Sequence, residues 1–228
     1  MIRPRRLGAV LALALLGLSS PFAGDASGCV LEDAPAALDS TADAWVASAP
    51  VALRRLLDED GVAFPTQTLP KRAIAALCPA VTPAVVRFDL PPSAVFDLLI
   101  QTDRHGEFMD SLGGMSPVSR APSDHVDRHE VKILFTSLVY HVRHHWDEER
   151  LRIWWDLSPA HENDLRGITG YWELYPLEDG GALGFYGTSV DVGPIIPKRM
   201  QAGLTARNLR SAVGRIRAWV IANGERTR

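Results

Sequence analysis

Gly170-Tyr171-Trp172-Glu173-Leu174-Tyr175-Pro176 and Phe185-Tyr186-Gly187-Thr188-Ser189-Val190-Asp191-Val192-Gly193 decide the fold. They read as two strands joined by the hairpin turn Glu178-Asp179-Gly180-Gly181. Pro197 then opens a long helix, since its missing amide hydrogen costs nothing in a first turn. Ala202, Ala206, Leu209, Val213, Ile216 and Val220 recur at steps of four and three, which is a helical stripe. The stripe begins with small residues and becomes bulky. Asn223-Gly224 ends it. A curved sheet followed by one long terminal helix can close over a hollow, with room at the small-residue end and a seal at the bulky end.

Upstream, the β signal continues. Leu151 to Leu157 reads as a strand, followed by a polar connection from Ser158 to Arg166. His129 to His145 is one long β-rich run, closed by a turn at Asp147-Glu148-Glu149. Thr82 to Leu90 is a strand rich in β-favouring Val85, Val86 and Phe88. Pro91-Pro92-Ser93 stops it and starts a helix, with Ser93 as cap and Val95, Phe96, Leu98 and Leu99 on the apolar side. Asp103 to Gly114 reads as a second short helix or loop, with Phe108, Met109 and Leu112 buried and Gly113-Gly114 as a turn. Asp33 to Asp60 is Ala- and Leu-rich and reads as one or two helices broken near Pro50. Gly61 ends them, and a short helix is expected from Lys71 to Leu77.

The 228 residues suit one domain plus processing segments, and 46% hydrophobic residues supply a full core. Net charge is −3, so no basic excess exists to neutralise phosphates, and nucleic acid is excluded as a partner class. Arginines do gather after Lys198, at Arg199, Arg207, Arg210, Arg215, Arg217, Arg226 and Arg228. They form either a solvated helix face or a contact with an anionic membrane surface.

The first 28 residues read as an export signal. Arg3, Arg5 and Arg6 precede the apolar run Leu7 to Leu18, which is too short to span a bilayer. The protein is therefore expected in the periplasm, secreted, or lipid-anchored to the envelope. Cys29 has two readings. Ala26-Ser27-Gly28-Cys29 resembles a lipobox, and an oxidising compartment permits a Cys29–Cys78 disulfide. Neither supplies the ligand spacing of a metal site.

Phe88-Asp89-Leu90-Pro91-Pro92, Val95-Phe96-Asp97-Leu98-Leu99, Gly170 to Pro176, Tyr186, Asp191-Val192-Gly193 and Pro197 together resemble the START-like superfamily, also called SRPBCC. The likeness is to its coenzyme Q-binding and polyketide cyclase-like branch. The resemblance implies an α+β helix-grip fold: a curved antiparallel sheet of about six or seven strands around a long C-terminal helix. It covers residues 81–223, after an N-terminal helical extension at 29–80 and before a tail at 224–228. It also implies a hydrophobic space between sheet and helix for a lipid-like or polycyclic ligand.

The lining expected from this layout is Phe135, Trp155, Trp172 and Tyr186 from strands, and Phe108, Met109, Met200 and Leu204 from helices. Alternation sends Trp154 and Trp155 to opposite faces. In His141-x-x-His144-His145, the outer two share a face and His144 takes the other. These histidines read as a polar outer face near a hairpin end, with His125 and His129 as another pair. His105, Glu107, Asp110, His129, Glu130, Arg143, Asp156 and Glu173 are acid–base candidates only if they point inward. No nucleophile motif, metal motif, P-loop or dinucleotide fingerprint is present, so neither catalytic residues nor a cofactor are assigned. The expected function is an exported binding or carrier protein for a hydrophobic small molecule: a lipid, quinone or polyketide-like compound. The alternatives are a cyclase or dehydratase using the same space, and a module filled by its own side chains.

Overall fold

Thr41 starts the first helix, α1 (Ala42–Ser48), its hydroxyl accepting from the Ala44 N–H at 3.2 Å. Pro50 separates it from α2 (Val51–Glu59), as its missing donor requires. Gly61, at φ 66°, ends α2 in the left-handed region, and β1 (Val62–Ala63) follows. Then come β2 (Thr82–Phe88), α3 (Pro92–Leu99) and a 3-10 helix (Thr102–Glu107). In α3 the cap is Pro91, with Pro92 in the first turn, so Ser93 lies inside the helix and does not cap it. The remaining strands are β3 (Leu112–Ala121), β4 (Asp124–Ile133), β5 (Thr136–Asp147), β6 (Arg152–Leu157), β7 (Gly167–Pro176) and β8 (Ala182–Asp191). The chain closes with α4 (Lys198–Gly224). This computed structural model describes residues 38, 40–64, 82–109, 112–133, 136–193, 198–224 and 226, with 82, 112, 133, 136 and 198–208 described as backbone only. The export segment, Cys29, Cys78, Phe135, Pro197 and the helix expected at 71–77 lie outside the described residues. So do the side chains of Met200 and Leu204.

Two expectations along the chain are corrected. Gly113-Gly114 is not a turn; both residues lie in β3, which runs along the sheet edge with register shifts at Leu112/Gly114 and Pro117/Ser119. Glycine, proline and serine carry almost no strand signal, yet an edge strand with bulges accommodates all three. The single run expected at 129–145 is two antiparallel strands, β4 and β5, paired from Asp124↔His145 to Ile133↔Thr136. Continuous β-favouring residues hid the hairpin, because no glycine or proline marks it.

Among the described residues, eight strands form one antiparallel sheet in the order β1-β2-β8-β7-β6-β5-β4-β3, one or two strands more than expected. Pairing of β2 with β8 brings the two ends of the domain side by side. Register fixes the faces. Ala84, Val86, Phe88, Trp172, Leu174, Ala182 and Tyr186 share the concave face with Ile153 and Trp146. Leu209, Val213, Ile216 and Val220 of α4 cover this face, so the bulky half of the helical stripe packs as its spacing predicts. The other face of the same strands carries Val85, Tyr171, Tyr175, Leu183 and Phe185, and α1 and α2 lie on it through Leu53 and Leu57. The Trp45 ring meets Phe185 edge-on at 5.1 Å.

The arginines of α4 clamp it in place. Arg215 Nε donates to the Phe108 carbonyl at 3.0 Å, and Arg217 Nε donates to the Arg87 carbonyl at 2.7 Å. Arg104 spans Glu107 and Asn223, and its guanidinium lies 4.8 Å from the Trp219 ring centre. Among the described residues, no helix is long and apolar enough to cross a membrane.

Candidate functional site on the concave face

Strand alternation makes the concave face an unbroken band of rings. Phe88 meets Trp172 at 6.1 Å, Trp172 meets Tyr186 at 4.7 Å, and Tyr186 meets Trp155 at 5.8 Å between ring centres. From Trp155 the band passes to His144 at 6.4 Å, to His129 at 6.3 Å and to Tyr140 at 5.3 Å. The band crosses β2, β8, β7, β6, β5 and β4, and its chemistry changes from hydrocarbon to imidazole on the way.

Glycine makes room for it. Gly170 pairs with Trp155, and a Cβ at Gly170 would lie 2.2 Å from the indole and 2.6 Å from the Gly187 carbonyl. The indole therefore lies flat against bare backbone. Gly184 plays the same part for Trp172, Phe88 and Leu174, each within 3.1 Å of where its Cβ would stand.

The imidazole end is buried and polar. His125, Asp127 and His129 alternate along β4 and stand opposite His144, Val142 and Tyr140 of β5. His105 approaches from the 3-10 helix, with its ring centre 5.7 Å from that of His144. Two of these four histidines are satisfied: His105 Nε2 bonds the Leu99 carbonyl at 3.0 Å, and His125 Nδ1 bonds Thr102 Oγ1 at 3.4 Å. Asp127 is fully buried, and its Oδ1 accepts from Arg120 Nη2 at 2.5 Å. Asp127 Oδ2, His129 Nε2 and His144 Nε2 are buried with no hydrogen-bond partner. Each such atom costs about 1–3 kcal/mol, so three on adjacent strands need a reason.

Burial sets the protonation states. It holds His129 down to about 4 against the pull of Asp127, and holds His144 well below its ordinary value with help from the neighbouring histidines and Arg120. His105 and His125 are lowered by the same cause. The imidazoles are therefore neutral at pH 7, each able to donate one hydrogen bond and accept one. Burial pushes the hydroxyls of Tyr140 and Tyr186 up to about 12, so both remain protonated donors. Among the described residues, no three His, Cys, Asp or Glu side chains are grouped to hold a metal ion.

The expected lining divides in the structure. Trp155, Trp172 and Tyr186 meet on the concave face. Phe108 lies farther along, between His105 at 5.2 Å and Trp219 at 5.1 Å, and Met109 packs against the same core. Phe135, Met200 and Leu204 fall outside the described side chains.

The histidines are corrected. His141 and His145 do face outward, bonding Asn163 and Asp124, but His144 faces inward with His125 and His129. Of the acid–base candidates, His105 and His129 reach the site. Glu173 lies on the opposite face, accepting from the Tyr175 hydroxyl at 2.6 Å, and Arg143 and Asp156 pair with each other at 3.0 Å. Glu107 is held down to about 2 by Arg104 and the Trp219 indole. Asp110 is outside the described residues. Asp127 was missed. Its alternation with His125 and His129 was visible, but Arg128 and Glu130 make the other face of β4 equally polar, so alternation alone could not choose the inward side.

No protein-family model and no curated protein sequence matches the chain. Solved structures do. A Thermus thermophilus protein, TTHA0849, superposes with TM-score 0.54 and 19% identity, over 62% of this chain and 97% of that one. The Zhui aromatase/cyclase from Streptomyces gives TM-score 0.51 and 15% identity, over 64% and 93%. A STAR-related lipid transfer protein from Xanthomonas axonopodis gives TM-score 0.53 and 12% identity, over 60% and 84%. At these identities the likeness is one of fold.

Proposed function

We propose, from the premise that this chain has the START-like helix-grip fold, that it is an exported carrier of a hydrophobic small molecule held between sheet and C-terminal helix. The observation that carries the reading is the band from Phe88 through Trp172, Tyr186 and Trp155 to the polar atoms of β4 and β5. A ligand lying along it would be driven by apolar burial, at about 25 cal/mol per Å², and oriented by the few polar groups at one end. The solved structures of similar fold include a lipid transfer protein and an aromatase/cyclase, which supports an apolar or polycyclic ligand. The apolar run behind Arg3, Arg5 and Arg6 supports export. The membrane would be the ligand's source.

Native mass spectrometry of the protein from its own host's envelope tests this. A co-purifying lipid-sized mass is expected, and none at any loading counts against the carrier. Trp172→Ala should weaken uptake of an apolar fluorescent probe several-fold, while the outward-facing His145→Ala should not. Equal effects from the two would remove the proposed lining.

The convergence of Asp127, His129 and His144 favours a second reading, a cyclase or dehydratase acting in the same place. An enzyme would return the co-purified ligand altered in mass or chromatographic retention after incubation. A carrier would return it intact.

A further inference from the structure

We infer that Asp127, His144 and His129 form a recognition site for an uncharged hydroxyl group, an alcohol or phenol, at one end of an otherwise apolar ligand. This rests on the carrier reading and specifies the ligand's polar end.

The argument is geometric. His144 Nε2 and Asp127 Oδ2 stand 4.0 Å apart, too far for a direct hydrogen bond, and neither has another partner. One oxygen making two bonds of about 2.8 Å spans that gap at an angle of roughly 90°. The bridging group must donate to Asp127 Oδ2, because a carboxylate only accepts. It must also accept from the neutral imidazole, whose Nε2 then carries the ring's hydrogen. A hydroxyl does both at once. His129 Nε2, on the same face of β4 two residues along, is a further buried polar atom without a partner, its ring centre 6.3 Å from that of His144.

Charge excludes the other head groups. A carboxylate or phosphate has no hydrogen to give Asp127, and repels it. An ammonium group would meet a carboxylate that Arg120 already neutralises, leaving a buried charge in excess. The imidazoles add none, since burial keeps them neutral. Trp155 sits between this site and the hydrocarbon part of the band, so ring and hydroxyl can be satisfied together.

Binding of naphthalene, 2-naphthol, 2-naphthoate and 1-naphthylmethylamine to the full chain, read by tryptophan fluorescence, tests the assignment. The expected order places 2-naphthol about tenfold tighter than naphthalene, with both charged probes weaker than naphthalene. Asp127→Asn and His144→Phe should each abolish the preference for 2-naphthol over naphthalene. The comparison on the unmodified protein stands even where a variant fails to fold. Equal binding of 2-naphthol and naphthalene assigns the polar atoms to solvent and overturns this proposal alone. Tighter binding of either charged probe also overturns it. No binding of any probe overturns the carrier reading and this proposal with it.

Discussion

Gly170 shows how a missing side chain shapes this protein. Trp155 occupies the space where its Cβ would stand, and the Gly187 carbonyl closes the other side. Even Gly170→Ala must therefore push the indole off the sheet or bend β7 away from β8. A cost of about 1–3 kcal/mol is expected, as for other overpacked cores, read as a lower urea midpoint with an unchanged m-value. Near-ultraviolet circular dichroism should change as well, because Trp155 sits against Tyr186. An unchanged midpoint would mean that the ring is not held there. The histidines make the complementary point. His144 and His145 are neighbours in sequence, yet one is buried among rings and the other pairs with Asp124 at 3.1 Å on the far face. The residue type carries no information about which; the pleat does.

At the scale of elements, the N-terminal helices are part of the fold's packing. Leu53 of α2 is fully buried against the convex side, among Val85, Leu183 and Phe185. The Leu38 amide donates to the Tyr175 hydroxyl at 3.0 Å, and that hydroxyl donates to Glu173. The β2, β8 and β7 part of the sheet is thus covered on both faces, by α3 and α4 on one and by α1 and α2 on the other. Leu53→Ala should cost about 2–5 kcal/mol, and unfolding should stay a single transition by fluorescence and circular dichroism. A separate early transition for the variant would show that α1 and α2 fold independently of the sheet. The helix α4 was legible from its four-and-three stripe, and Val213 and Val220 are fully buried as that stripe requires. Its arginines were not legible. The pattern gave a solvated or membrane-facing set, but Arg215 and Arg217 bind backbone carbonyls of Phe108 and Arg87. Whether a long cation meets solvent or a carbonyl depends on what packs beside it.

Across the whole molecule, buried neutral histidines couple the fold to pH. Burial lowers His129 to about 4; nearby Asp127 opposes this, and His105 and His141 reinforce it. The unfolded chain, near 6.5, takes up the proton first. Stability from this group is therefore complete above pH 6.5 and is lost as the pH falls toward 4, amounting to about 3 kcal/mol. His144, His105 and His125 are shifted in the same direction and add to it. Urea unfolding should show stability falling steeply between pH 6.5 and 4, and His129→Phe should flatten that limb. A limb unchanged in the variant would mean that His129 is charged in the folded state. The order of strand, helix, sheet and terminal helix was fixed by local chemistry: β-branched runs, the Gly180-Gly181 turn, the prolines at 91 and 92, and the stripe of α4. Tertiary structure alone decided which side of β4 and β5 meets the 3-10 helix, and so drew Asp127, His129 and His144 into one place. Both sides of those strands are polar, and only packing against a helix gives a strand face an inside.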